Sequence, residues 1–391
     1  VNPKYQEYGH VTVSACVLVI DLRRYQCKKC GKTFFEPQSI VSECSPHMTV
    51  DLEQWIVYQI RLGRSLAEIT RECGASADIT RLAIEAAPLP KLHLPKHLCV
   101  DEFHAFSKRR AYLKGSRQYW TICVDGQDGR LIDALDGHDK QTLETWLRSI
   151  PKPEREQVEY FTCDMFDAFW RAAKTQLPNA VICIDKFHVA SLVKDAFDKA
   201  RRRIAKRPGK STADTKAIWK LLVANRAKLI QAPQARTWQD QAALDRAATT
   251  RRNTAFERIA SVLTGDDANH RELRMAYLML QAFYVWADTD FDNEREMKRA
   301  LGNWISQAQN CGIKEFATAA NSIKGVKEYI VNAYMTGKTN AYAENVNRKI
   351  KDIKRRACGF TNYKSMRRRL LLAYGYPALD KGGVALPNHN K

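Results

Sequence analysis

Apolar positions along the chain fall into two regimes. Between residues 97 and 189 they come as short contiguous runs. His97-Leu98-Cys99-Val100 follows Pro95 and Lys96 and leads into Asp101-Glu102-Phe103, the pattern of a buried strand that delivers Asp101 to its end. Residues 120–125 and 130–135 read as two strands joined by the hairpin turn Gly126-Gln127-Asp128-Gly129. A helix is expected over 141–150, a strand over 158–164 ending at Asp164, a helix over 166–176 and a last strand over 180–184. Three neighbouring strands that can pair antiparallel, then parallel additions through right-handed crossovers, make a mixed sheet with helices on both faces.

Elsewhere the rhythm is helical. In 49–87, Leu52, Ile56 and Ile60 share a face, Ser65 and Glu68 have capping-box spacing, and Gly74 ends a helix that a second short one follows. This is the outline of a helix-turn-helix, with Arg81 on its second helix. Pro88-Leu89-Pro90 and Pro95 read as a linker. After His188 come Arg201, Arg202, Arg203, Lys206 and Arg207, read as solvated basic residues at the end of a helix, then amphipathic helices over 210–230 and 239–263. Leu273, Tyr277, Leu280 and Tyr284 recur at core-facing spacing, and Trp286 and Trp304 sit among apolar helix positions and read as core. In 340–356, Val346, Ile350, Ile353 and Ala357 form a buried face, while Glu344, Asn347, Arg348, Lys351 and Arg355 form a second ridge. A further basic helix over 363–374 carries Arg367, Arg368 and Arg369.

The expected fold is therefore α/β, a ribonuclease H-like mixed sheet with flanking helices, interrupted by an all-α insertion. The sheet domain would occupy 96–208 and 336–378 around an insertion at 209–335. A zinc-ribbon-like segment (1–46) and a helix-turn-helix (47–95) precede it, and 379–391 form a disordered tail.

Composition narrows the partner. Lys and Arg number 63 against 43 Asp and Glu in 391 residues, a formal charge of +20. That surplus points to a polyanion, and nucleic acid fits better than a membrane, because no long apolar stretch or lipid-binding helix stands out. With no signal-peptide pattern, the expected compartment is the cytoplasm, in association with the nucleoid. The chain begins at Val1 without an initiator methionine, so a preceding piece is expected.

Eleven cysteines are present, and Cys99, Cys123, Cys163 and Cys183 each fall in a different expected strand, as small core residues of a reduced protein. Cys27-Lys28-Lys29-Cys30-Gly31 alone has metal-ligand spacing, that of a zinc knuckle. A ribbon needs two knuckles. Cys16 and Cys44, the nearest other thiols, belong to no pair, so both a Zn²⁺ half-site and a knuckle without metal stay open.

Two strand-end carboxylates, Asp101 and Asp164, and the helical Glu344 could together hold a pair of hard divalent cations, Mg²⁺ or Mn²⁺, for chemistry on a phosphodiester. Taken singly, each is more often an ordinary strand-end or surface acid. Glu102 points to the face opposite Asp101 and, with His104, is not expected to be a ligand.

The chain resembles the ISL3-type bacterial transposases, which carry a DDE ribonuclease H-like domain. The likeness rests on Val100-Asp101-Glu102-Phe103, Cys163-Asp164-Met165-Phe166 and Asp185-Lys186-Phe187-His188-Val189. Most specific is Thr336-Gly337-Lys338-Thr339-Asn340 to Glu344, followed by Asn347-Arg348-Lys349-Ile350-Lys351, Arg355-Arg356-Ala357 and Gly359-Phe360. It covers nearly the whole chain. The resemblance implies the triad Asp101, Asp164 and Glu344, and DNA strand cleavage and transfer at insertion-sequence ends. The implied partners are terminal inverted repeats, target DNA and further copies of the chain. Asp185 and His188 look like the Cys/Asp-x-x-His signature that lies near some transposase active sites; packing of His188 at a strand-to-helix junction is the other reading. DNA contacts are expected from Arg81, Asn347, Arg348, Lys351, Arg355 and Arg356. The departure from the family pattern is the missing first cysteine knuckle. Two rival classes share features: a DNA-binding derivative without catalysis, which has no use for three acids, and a ribonuclease H-like nuclease or resolvase, which the segment around Glu344 disfavours.

Overall fold

The computed structural model describes residues 23–35, 39–45, 47–205, 268–356 and 362–376. The helices expected over 210–230 and 239–263, together with Cys16, Lys206, Arg207, Ala357, Gly359, Phe360 and the tail, lie outside the described residues.

A five-stranded mixed sheet has the order β5-β4-β3-β6-β7, with β3 at His97–His104, β4 at Tyr119–Asp125, β5 at Leu131–Leu135, β6 at Tyr160–Cys163 and β7 at Val181–Ile184. Parallel β3-β6 and β6-β7 pairs and an antiparallel β4-β5 pair make it mixed. The order and these pairings are consistent with a ribonuclease H-like core. The chain forms two compact units, and the division passes through β3, directly after Val100.

One unit contains 96–100 and 147–340. Here His97 to Cys99 run beside Tyr160 to Thr162, and the buried His97 ring bonds the Thr162 hydroxyl at 2.6 Å. Helices α5 (Lys140–Arg148) and α6 (Lys152–Glu156) come before β6, and α7 (Asp167–Gln176) and α8 (Lys186–Ala205) follow β6 and β7, because the sequence leaves each strand for a run with helical apolar spacing. Two of the cations read as solvated at the end of α8 are paired instead: Arg201 is buried against Asp198, and Arg203 holds Glu272 and Glu315. The helices α9 (Ala268–Asp288), α10 (Glu294–Asn310), α11 (Lys314–Gly325) and α12 (Lys327–Thr336) bury Leu273, Leu280, Tyr284, Trp286 and Trp304, as the periodicity predicts. The indole N–H groups of Trp286 and Trp304 donate to Met297 O and Met279 O at 3.2 and 3.0 Å, so the buried donors are satisfied. Asn332 Nδ2 donates to Ile182 O at 2.9 Å, fixing α12 to β7.

The other unit contains 1–95, 101–146 and 341–391. A short hairpin, β1 (Arg24–Gln26) with β2 (Thr33–Phe35), encloses the Cys27–Cys30 turn, where Gly31 has φ 70°. Helices α1 (Val50–Arg61), α2 (Leu66–Cys73) and α3 (Ala77–Ala86) begin at Thr49, Ser65 and Ser76, whose side chains each accept an N–H of the first turn. Ser65 and Glu68 form the expected reciprocal box, and Gly74 closes α2 at φ 69°.

These three helices share a core, Ile56, Ile60, Ile69, Ala83 and Ile84, with Leu372 of the last helix, α14 (Tyr363–Tyr374). The arginines of α14 depart from the basic face expected for them. Arg368 donates to Ile84 O at 2.6 Å and also to Ala87 O, the carbonyls that the end of α3 leaves open, and Arg369 donates to Arg64 O. Arg367 grips the buried Asp133 of β5 with two bonds of 2.6 and 2.9 Å. A buried carboxylate needs a charged partner, and helix-end carbonyls need donors, so all three guanidiniums are used inside the unit.

Helix α13 (Ala341–Arg356) also belongs here. The hairpin β4-β5 turns at Gly129 with φ 77°, and a Cβ added there would meet Tyr342 Cδ1 at 2.8 Å. The glycine is what lets the head of α13 lie against the turn.

Candidate active site

In the unit that holds α13, strand alternation sorts the residues after Val100. Asp101 is buried and Glu102 points the other way, pairing with His138 Nδ1 at 2.8 Å, so Glu102 is not with Asp101, as expected. Asn347 Nδ2 donates to Asp101 Oδ2 at 2.6 Å and to Glu102 O at 3.1 Å. The Glu102 N–H donates to Asp101 Oδ1 at 2.8 Å, so both carboxylate oxygens are oriented. Glu344 stands three residues before Asn347 on α13, with its side chain 29 % exposed, and Arg348 NH2 lies 3.9 Å from its carboxylate.

The second ridge expected on α13 is therefore split. Asn347 is 6 % exposed and turned inward to Asp101, while Arg348, Lys351, Arg355 and Arg356 are exposed. Arg355 pairs with Asp352 on its own helix. The reason lies in the period: residue 347 follows 343 and 346 onto the buried side, where an amide is accepted because a carboxylate awaits its N–H groups.

In the other unit, Asp164 follows β6 directly and its Oδ1 accepts the Phe166 N–H at 2.9 Å, a side-chain turn between strand and helix. Asp185 follows β7 and is 3 % exposed. His188 Nδ1 lies 3.1 Å from Asp185 Oδ2, and the Asn340 N–H donates to Asp185 Oδ1 at 3.1 Å. Burial works to raise the Asp185 pKa, but the bonds from His188 and Asn340 outweigh it and hold the group below the usual carboxylate range. Ligand atoms of Asp164 and His188 lie within 4.8 Å of each other, as do those of Asp185 and His188. This Asp/His cluster has the donors of a divalent-cation site: hard carboxylate oxygens and one imidazole whose second nitrogen is held by a carboxylate.

Asn340 went unassigned in the sequence. It is fully buried, and besides its bond to Asp185 its Nδ2 donates to Val100 O at 3.1 Å. An asparagine directly before a helix reads as a cap, which hides this second use.

Cys27 and Cys30 sit in the tight turn expected of them, with the Cys27 N–H donating to Lys32 O at 2.7 Å and the Gly31 N–H to Cys27 O at 2.9 Å. The backbone N–H groups of Cys30 and Lys29 hold the Cys27 thiol below its usual pKa. Among the described residues no third His, Cys, Asp or Glu completes a ligand group with them. Arg81 is exposed on α3 and pairs with Asp78 at 2.8 Å. No helix among the described residues is long and apolar enough to cross a membrane.

A family model of ISL3-type DDE transposases, described as a transposase, matches residues 98–370. The transposase for insertion sequence element IS1557 of Mycobacterium tuberculosis, in two strains, is 28% identical over 268 residues, 65% of this chain and 56% of that relative. The match thus spans little more than half the length of that relative. The transposase for insertion sequence element IS1001 of Bordetella parapertussis is 22% identical over 360 residues, 88% of this chain and 78% of the relative.

Proposed function

The chain belongs to the ISL3 family of DDE transposases, and from that premise we propose that Asp101, Asp164 and Glu344 form one metal-dependent centre that cuts and joins DNA strands at the ends of an insertion sequence. The observation that carries the reading is the grip of Asn347 on Asp101, one helical turn from Glu344. Support for joining these two acids to the Asp164-His188 pair comes from the chain itself. Asn340 bonds both Asp185 and Val100 O. Val100 precedes Asp101 by a single Cα step of about 3.8 Å, and Asn340 precedes Glu344 by four helical residues, about 6 Å.

The donor chemistry fits Mg²⁺ or Mn²⁺, since three carboxylates and one oriented imidazole leave positions for water and substrate. Such ions, when bound, activate an attacking water or 3′-hydroxyl and stabilise the oxygen that leaves phosphorus. Asn347 holds Asp101 in one orientation, and Asp185 orients the His188 ring through Nδ1. Arg348, Lys351, Arg355 and Arg356 neutralise phosphates of the strand being cut, by charge and with little base preference. Helices α2 and α3, with Arg81, read the terminal inverted repeats as a helix-turn-helix. The Cys27-Cys30 turn offers two thiolates spaced for Zn²⁺, half of a site, with a knuckle that holds no metal as the other reading. The domain roles follow: 47–95 for end recognition, 96–208 with 336–378 for catalysis, and 209–335 as a helical insertion, in a protein that works on DNA as a homo-oligomer.

The test is Mg²⁺-dependent nicking of a duplex that carries the element end, taken from the repeats that bracket the gene. Asp101→Asn, Asp164→Asn and Glu344→Gln should each abolish nicking and leave DNA affinity within a few-fold. Full nicking by any one of them removes that residue from the centre.

A further inference from the structure

The segment between β3 and β4 projects from its unit as a short helix, α4 (Lys108–Leu113). Tyr112 is 86% exposed and Leu113 70%, the highest values for large apolar side chains among the described residues. Two adjacent side chains of this size left in water on one short segment call for an occupant. Lys108, Arg109 and Arg110 stand beside them, all exposed and without an ion-pair partner among the described residues, and no acid lies between Ser107 and Arg117.

The projection is held firmly at its base. The Ala105 and Phe106 N–H groups donate to Gln118 O at 2.9 and 3.2 Å, and Phe106 packs edge-on against the buried Trp120 at 5.6 Å. Trp120 Nε1 donates to Ser116 Oγ at 3.1 Å, while Ser116 Oγ and the Arg117 N–H both donate to Asp136 Oδ1. Only Ala111 of α4 is buried. A side chain presented on so fixed a base meets a partner already oriented, which lowers the entropic cost of docking.

The same surface continues toward α13. Lys354 Nζ donates to His104 O at 3.2 Å. Burial first, and then the like charges of Arg110 and Lys351, hold its ammonium below the usual lysine range, so Arg110 and Lys351 flank it from two elements. Arg110 of α4 thus lies near Lys354 and Lys351 of the Glu344 helix.

We propose that α4 is a DNA wedge: Lys108, Arg109 and Arg110 bind phosphates of the duplex beside the cut, while Tyr112 and Leu113 press between base pairs and unstack them. Aromatic and aliphatic side chains on a basic mount are what minor-groove wedges and stacking platforms require. A protein partner would match the apolar pair but would need acids of its own opposite three adjacent cations; duplex DNA supplies both a regular anionic rail and apolar base faces. Ser107 lies six positions after Asp101, at most about 20 Å of extended chain or roughly six base pairs, so the wedge acts on DNA flanking the cut. This rests on the DNA-cutting function proposed above.

The experiment uses the full chain in metal-free buffer, so that binding is read without cleavage, on a duplex with 2-aminopurine at successive flanking positions. Wild-type protein should raise 2-aminopurine fluorescence at one step. Tyr112→Ala with Leu113→Ala should remove that rise and weaken binding about 5- to 150-fold at unchanged salt slope, and Tyr112→Phe should retain it. Gln at 108, 109 and 110 together should flatten the salt slope by about 0.9 per lost contact. Wild-type salt slope and fluorescence in both variant sets, with normal nicking, overturns the wedge alone. Failure of wild-type protein to bind DNA at all overturns the function on which it rests. Loss of self-association in the Tyr112→Ala, Leu113→Ala protein, with fluorescence unchanged, assigns the projection to a second copy of the chain and also overturns the wedge.

Discussion

Asn347→Leu separates the catalytic geometry from the stability of the fold. The substitution keeps the number and branching of the side-chain heavy atoms and removes the 2.6 Å bond to Asp101 Oδ2 and the 3.1 Å bond to Glu102 O. A bond to a carboxylate is worth about 1.5–3 kcal/mol and one between neutral groups about 0.5–1.5 kcal/mol. Against this, Asn347 Oδ1 is buried with no partner among the described residues, and removing such an atom returns about 1–3 kcal/mol. Taken at mid-range, the net change in stability is a loss of about 1 kcal/mol, a melting shift of a few degrees. Catalysis has no such compensation. Asp101 loses the contact that fixes one of its oxygens, and outer partners of metal ligands contribute about 10- to 100-fold to metal affinity or rate. Single-turnover nicking measured against Mg²⁺ concentration, beside thermal melts without metal, should show a rate lowered by that factor or a Mg²⁺ requirement raised by it. A variant that melts like wild type and nicks within twofold of it at every Mg²⁺ concentration would show that Asn347 does not position Asp101.

Further predictions follow from the packing. Gly129→Ala puts an L-residue at φ 77° and a Cβ 2.8 Å from Tyr342, so it should cost about 1–2 kcal/mol in backbone strain alone and slow nicking by shifting the head of α13; adding Tyr342→Ala should restore the rate but not the full stability, as read by urea melts. Arg367→Met leaves Asp133 buried without its counter-charge, at roughly 2–4 kcal/mol once the partial exposure of Arg367 is allowed for, and Asp133→Asn in the same protein should recover part of that loss. The Glu315 pKa is lowered by its bonds from Arg203, so this pair stabilises the fold above the ordinary glutamate value of about 4.3 and loses that contribution as pH falls through the depressed folded value. Glu315→Gln should therefore be less stable than wild type at pH 7 and converge with it in acid; a constant difference across pH would contradict the assignment.

The sheet was legible because its strands are contiguous apolar runs ending in acids, a pattern that few other arrangements produce. The capping box at Ser65 and the core tryptophans were legible for the same local reasons. What escaped were roles set by distant partners. Arg367, Arg368 and Arg369 read only as part of a basic helix because Asp133, Ile84 O, Ala87 O and Arg64 O are far away in sequence. Asn347 read as part of a ridge because periodicity gives a face but not which side of its boundary a residue falls on. Asn340 was quoted within a motif without a task, since its two partners lie 155 and 240 residues away. The α4 projection was invisible to patterns built on buried faces, because it is defined by what it leaves exposed.

Convergence of Asp101 and Glu344 with Asp164 and His188 on one metal is the proposal most directly open to test. Fe²⁺ bound in place of Mg²⁺ reacts with added hydrogen peroxide, ascorbate re-reducing the Fe³⁺, to make hydroxyl radicals that cut the polypeptide near the ion, and the fragments can be mapped by mass spectrometry. Cuts should cluster at four separate places, near Asp101, Asp164, His188 and Glu344, all competed by Mg²⁺ and all lost in Asp164→Asn. Cuts at Asp164 and His188 with none near Asp101 or Glu344 would show that the carboxylates do not share a metal, and would contradict the proposal.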